Sequence, residues 1–122
     1  MTKKEDASHE LVGSVLIKVS KITEWYANGY RTVHGGAIAT WVDCLTSLCI
    51  YSFDPTQRWS VSINMTTDYV NAGQIDAPLY FRCKVLKIGK NIAFSECLIL
   101  DEKLRLIASA THKKTFIVQP KM

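Results

Sequence analysis

Two adjacent glycines, Gly35 and Gly36, follow His34 at the head of an apolar stretch, and Asp43 is the only charged residue from 32 through 53. Adjacent glycines let a ligand come close to backbone N–H groups. At a helix N-terminus those groups are unbonded and reinforced by the macrodipole, which is the chemistry of an anion or oxyanion site. The same glycines would equally serve a tight turn and close packing of the helix on a strand. Asp43 poses the second question. A carboxylate in apolar surroundings is costly unless it is hydrogen-bonded, neutralised or turned to a wet cavity. It reads either as a core group satisfied by Thr40, Ser47 or a backbone N–H, or as a general base that activates water with no metal. Eight residues separate Gly35 from Asp43, about 12 Å along a helix. One helix can hardly serve both ends of one reacting carbonyl, whereas two antiparallel helices across a two-fold axis could bring Gly35 of one subunit toward Asp43 of another.

Other chemistries find little support. There is no GxSxG elbow, Walker loop, dinucleotide fingerprint or HExxH. The histidines are His9, His34 and His112, none spaced with another ligand as zinc requires, so neither a metal nor a resident cofactor is expected. His34 reads as a residue at the helix start whose ring bonds locally. Cys44, Cys49, Cys83 and Cys97 fall in apolar segments without a CxxC pair, which fits small core hydrophobes and a reduced, intracellular setting, cytoplasmic or mitochondrial. Cys44 is a poor nucleophile candidate, since adjacent helix residues point about 100° apart and no His is placed to activate it.

The elements that must hold these residues are legible. The chain has 122 residues and a net charge of +4, enough for one domain and one core, but little for an enclosed ligand cavity as well. Residues 1–12 read as a flexible lead-in and 13–122 as the single domain. GSVLIKVS (13–20) alternates as a half-buried strand. A connector through Trp25, Asn28 and Gly29 leads to a helix over 36–53, stopped by Asp54-Pro55. Its apolar residues surround most of the circumference, so it is expected to be enclosed, and Asp43 with several hydroxyls argues against a membrane span. Four β-rich segments follow, at 59–70, 77–89, 90–101 and 103–118. The turns at Asn71-Ala72-Gly73, Gly89-Lys90-Asn91 and Asp101-Glu102-Lys103 suit antiparallel hairpins. Residues 82–114 carry a basic excess that includes Arg82, Lys84, Lys87 and Lys90, suited to a polyanion or simply to solvated strand faces. Nothing beyond that charge supports nucleic-acid binding.

The stretch ANGYRTVHGGAIATWVD (27–43), followed by SVSINMTTDYV, VLKIGKNIAFSE and ASATHKKTF, resembles the PaaI-type hotdog-fold acyl-CoA thioesterases, especially their small eukaryotic branch, over about residues 13–117. The resemblance implies an α+β hotdog fold, a long central helix wrapped by a curved antiparallel sheet of about five strands. It implies hydrolysis of acyl-CoA, with coenzyme A as part of the substrate, by a homodimer that can pair into a homotetramer. By that resemblance Gly35 donates its N–H to the thioester oxygen, Asn28 holds the thioester carbonyl or its water, Asp43 and Ser62 serve the attacking water, and His34, Gly36, Arg82, Lys84, Lys87 and Lys90 contribute to substrate binding. Only a dozen mostly polar residues precede the first strand, where members of that family usually carry a helix, and the 54–59 segment departs from the pattern by an extra residue and a bulky Trp59. Those departures leave acyl-chain selectivity open. Two other readings stand beside it: a non-catalytic acyl-CoA-binding protein, and a hotdog dehydratase or hydratase, which needs a His with an acidic partner.

Overall fold

The computed structural model describes residues 12–20 and 22–117. The expected lead-in lies outside the described residues except for Val12. Five strands and one long helix follow in the expected order: β1 (Gly13–Val19), α1 (Gly35–Phe53), β2 (Ser60–Tyr69), β3 (Leu79–Ile88), β4 (Ile92–Leu100) and β5 (Leu106–Phe116). A single 3₁₀ turn, Glu24–Tyr26, interrupts the connector before the helix. The strands form one antiparallel sheet in the order β1-β3-β4-β5-β2.

Two of the three expected hairpins form, joining β3 to β4 and β4 to β5. The third does not. β2 lies at the edge beside β5, so Asn71–Gly73 begins a crossover to β3 instead of a tight turn. That crossover is held by its own bonds. Val70 and Asn71 N–H donate to the Ile107 carbonyl, and the Gly73 carbonyl accepts from Val33 N–H at 2.9 Å. It therefore supports the segment that leads into the helix.

Alternation along the strands supplies the core. Phe81, Cys83 and Val85 of β3, Cys97 and Ile99 of β4, and Ile107 with Ala108 of β5 are buried against the helix. The helix answers with Ile38, Val42, Thr46 and Ile50, an i+4 series, together with Cys49. This is a narrower stripe than full enclosure. Leu48 is 64% exposed, and Asp43 and Cys44 also face outward. The expectation of a fully enclosed helix, and of four core cysteines, is corrected accordingly: a sheet of this width covers only one side of a helix, and Cys44 lies on the other. By length and composition alone the helix would suffice to cross a membrane. Its seat against the core of the sheet is that of a central helix.

The helix ends are built as the sequence suggests. At the C-terminus Asp54 leaves helical geometry before Pro55, and its carboxylate accepts from Thr56 and Arg58. Burial pushes the Asp54 carboxyl up, but the hydrogen bonds from Arg58 and Thr56 outweigh it and hold the group at about 2. Arg58 also donates to the Lys90 and Gly89 carbonyls and lies 3.7 Å over the Phe116 ring. One side chain thus ties the end of the helix to the β3–β4 turn.

Candidate functional site

The segment before the helix is shaped by Asn28. Its Oδ1 accepts from the Tyr30 N–H at 2.9 Å and the Thr32 N–H at 3.1 Å, and its Nδ2 donates to Thr32 Oγ1 at 2.8 Å. Arg31 sits at φ 60° to close this turn. One N–H of the Asn28 carboxamide is left for a ligand. His34 caps the helix: its Nδ1 accepts from Gly36 N–H at 2.8 Å, as expected of a ring that bonds locally. That bond occupies the Gly36 N–H. The Gly35 N–H finds no acceptor among the described residues, so of the two glycines it is Gly35 that offers a donor. Tyr69, at the far end of β2, donates its hydroxyl to the Gly35 carbonyl at 2.9 Å. Asn28, Gly35 and Tyr69 line one open cavity of about 320 Å³, and Asp43 is not part of it.

Asp43 lies two turns further along, and its side chain is 53% exposed instead of buried. Neither proposed partner holds its carboxylate: Thr40 donates to the Gly36 carbonyl, and Ser47 donates to the backbone carbonyl of Asp43. Beside it stands a group that the sequence reading passed over. His112 on β5 is fully buried, with Nε2 2.6 Å from Ser62 Oγ, Nδ1 2.7 Å from Thr46 Oγ1, and Nε2 3.9 Å from Asp43 Oδ1.

The proton positions follow from the bonding. Thr46 spends its hydroxyl proton on the Val42 carbonyl at 2.7 Å, so toward His112 it can only accept, and Nδ1 carries the ring proton. Nε2 of the neutral ring is then an acceptor, and Ser62 donates to it. Burial holds the His112 pKa below the usual value, against the pull of Asp43 and with the push of Lys114, which favours this neutral form. Ser62 Oγ, its proton committed, faces its surroundings as an acceptor beside a carboxylate. A water there would donate one proton to each and present a lone pair.

Ser62 reaches this position because of a bulge. Uniform alternation would put Ser62 on one face with Asn64, Thr66 and Asp68, as the sequence suggested. In the structure Ser62 pairs with Lys114 and Asn64 with Lys113, leaving Ile63 as the extra residue. The strand's parity is reset there, and Ser62 turns to the helix side. Lys114 shares that side: it is only 6% exposed, and its Nζ donates to Ser47 Oγ at 2.6 Å. His112 and Lys114 had one sequence signal. Ala108, Ala110, His112 and Lys114 occupy alternate positions, so the face that begins with core alanines ends with two ionisable groups.

The register of β3 on β4 places the basic residues of the second half. Arg82 and Lys84 alternate with Phe81, Cys83 and Val85 and therefore project from the outer face, where Lys84 lies 3.9 Å from Glu96. Lys87 follows the bulge in β3 and pairs with Phe94 as Lys84 pairs with Glu96, so it shares that face, and Lys90 is in the β3–β4 turn. Among the described residues no cluster of His, Cys, Asp and Glu is suited to a metal.

The fold is that of a hotdog thioesterase. The Thioesterase superfamily profile matches residues 30–108, and the chain belongs to that family. It is 30% identical over 105 residues to human "Acyl-coenzyme A thioesterase 13", covering 84% of this chain and 72% of that protein. Zebra fish Thioesterase Superfamily Member 2 superposes with a TM-score of 0.80 at 30% identity, over 86% of this chain and 75% of that one. The smu.793 protein of Streptococcus mutans, bound to acetyl CoA, gives 0.80 at 19% identity, over 89% and 85%; that likeness is one of fold.

Proposed function

We propose that this protein hydrolyses acyl-CoA thioesters by direct attack of water, in a site shared between two copies of the chain. The observation that carries the reading is the pairing of Asp43 with a Ser62 hydroxyl whose proton is committed to His112. The water between them loses a proton to Asp43 as its oxygen adds to the thioester carbon. The carbonyl oxygen then becomes an oxyanion and needs fixed donors, for which Gly35 N–H at the helix N-terminus and the spare N–H of Asn28 are suited. Collapse breaks the C–S bond and expels the CoA thiolate, which takes up the proton held on Asp43. The free acid and CoA leave, and no covalent intermediate or metal is required.

The two halves stand about 12 Å apart on one helix, which is why a second copy is included. β2 leaves one edge of the sheet open and carries Val61 and Ile63 exposed, so an antiparallel pairing of β2 with its copy would bring the halves together. Resemblance to proteins named acyl-CoA thioesterases supports the substrate class. The test is thiol release from a panel of short to long acyl-CoAs. Asp43→Ala should lower turnover by about 100-fold or more, and mixing Asn28→Ala with Asp43→Ala should restore part of it through mixed dimers. Wild-type activity in Asp43→Ala would remove Asp43 from the mechanism. Saturable binding with no thiol release across the panel would instead support the non-catalytic binder.

A further inference from the structure

One turn beyond Asp43, the exposed side of α1 and the start of β2 enclose a second open cavity of about 430 Å³, within the size range of small-molecule sites. Its walls are apolar: Cys44, Leu48, Tyr51 and Trp59, the last two with ring centroids 5.2 Å apart. Its polar lining includes Ser47 and Lys114. Arg58 also borders the cavity, but its guanidinium is committed to Asp54 and to the Lys90 and Gly89 carbonyls. Lys114 is different. It is more than nine-tenths buried, carries three donors, and is bonded to Ser47 Oγ, with no carboxylate of the described residues within 4 Å. Asp43 and Cys44 draw its pKa upward less than burial lowers it.

An ammonium buried in an apolar groove is costly when no carboxylate bonds it directly, and the more distant pull of Asp43 does not offset that burial. A simple alkyl chain laid in this groove would bury the ammonium further and offer it nothing. An acyl group ending in a carboxylate would supply the missing partner. Ser47 is one helical turn, about 6 Å, from Asp43, so that carboxylate belongs a short chain away from the thioester carbon.

We infer that the groove along Cys44, Ser47, Leu48, Tyr51 and Trp59 binds the acyl part of the substrate, and that Lys114 selects short acyl groups carrying a terminal carboxylate. This rests on the acyl-CoA reading above and narrows its substrate class. The carboxylate accepts from the Lys114 ammonium, Ser47 retains its bond to the same nitrogen, and the methylene segment lies between Leu48 and the Tyr51–Trp59 pair. Lys114 is a specificity residue; the reacting atoms remain with Asp43 and Ser62.

The experiment separates binding from hydrolysis. Dissociation constants for the non-hydrolysable thioether analogues of adipoyl-CoA and hexanoyl-CoA, equal in carbon count, are measured by calorimetry on the wild-type chain, in which Asp43 keeps its influence on Lys114. The adipoyl analogue should bind about tenfold more tightly or better. The ratio should fall to near one when Lys114→Met is added. Because that change is buried, Ser47→Asp is the second variant: it gives the ammonium a carboxylate of its own at a half-exposed helix position and should abolish the preference with Lys114 intact. Equal affinities on the wild-type chain, or a ratio untouched by both changes, would overturn the proposal. Thiol release by the wild-type chain is followed in parallel. A carboxylate preference in binding with no thiol release from any acyl-CoA would refute hydrolysis while upholding the groove; release with equal affinities would do the reverse.

Discussion

If Ser62 acts as a water acceptor only because His112 takes its proton, the two side chains work in series and their losses must not add. The perturbations are Ser62→Ala, His112→Leu and the double variant. A hydrogen bond of this kind contributes about 0.5–1.5 kcal/mol net, and loss of the water's orientation adds to it, so each single change should cost about 1–2 kcal/mol in the barrier, roughly a five- to thirtyfold drop in kcat. Independent effects would multiply to between about thirtyfold and nine-hundredfold. In series, the double variant should match the worse single one, a coupling of about 1–2 kcal/mol. Leu in place of His112 keeps the site filled, and Thr46 keeps its bond to the Val42 carbonyl, so the protein should remain folded, as thermal unfolding can verify. The assay is kcat for thiol release as a function of pH. His112 is held below its ordinary 6.5 by burial first, with Asp43 opposing and Lys114 assisting. The neutral ring therefore persists above 6.5, and activity should fall only as the pH drops below that value and protonation turns Nε2 into a donor. The His112→Leu variant should lack that component of the acid limb. Multiplicative losses in the double variant, or an unchanged acid limb without His112, would refute the relay.

Two further outcomes test the surroundings. A Cβ on Gly35 would stand 3.2 Å from the Tyr69 ring, so Gly35→Ala should displace the helix start by a few tenths of an ångström and lower kcat by roughly tenfold; a drop in Tm of more than a few degrees would mean a folding defect instead. Asp54→Asn should cost about 1–2 kcal/mol at pH 7, less than its full pKa depression implies because Arg58 is partly exposed. Since the folded-state value is lowered from 3.8 to about 2, this stability is present above 3.8 and lost as the pH falls through 2. Unfolding midpoints of the two proteins should converge near pH 2, and a constant gap would sink the assignment.

The fold was legible because its elements obey one local rule each. Alternation marks β1, and Asp54-Pro55 and the paired glycines bracket a nineteen-residue helix to within a residue. The β2–β3 crossover was not legible, since Asn71-Ala72-Gly73 has hairpin chemistry and only the preference of β2 for β5 takes it elsewhere. At the site, Gly35 and Asp43 were found as anomalies of type, glycines at a helix start and a charge in an apolar run. His112 is no anomaly of type. It becomes a candidate only when the sheet brings β5 beside the bulged β2, fifty positions away in sequence. Burial of Asp43 was misjudged for a related reason: an apolar run states what a helix can bury, whereas the width of the sheet decides how much of it is covered.

The bulge at Ile63 divides β2 into two segments under separate constraints. Residues 60–62 need to deliver one hydroxyl to His112, while 64–69 must keep Met65 against the core and Tyr69 beside the helix start. Substitutions in one segment leave the facing of the other alone. A change of length is another matter, because one residue added or removed between Ser62 and Asn64 would turn the hydroxyl outward with every functional group still present in the chain. Part of this site is thus encoded in spacing, and a relative that conserves all of its side chains but differs by one residue here would have lost it.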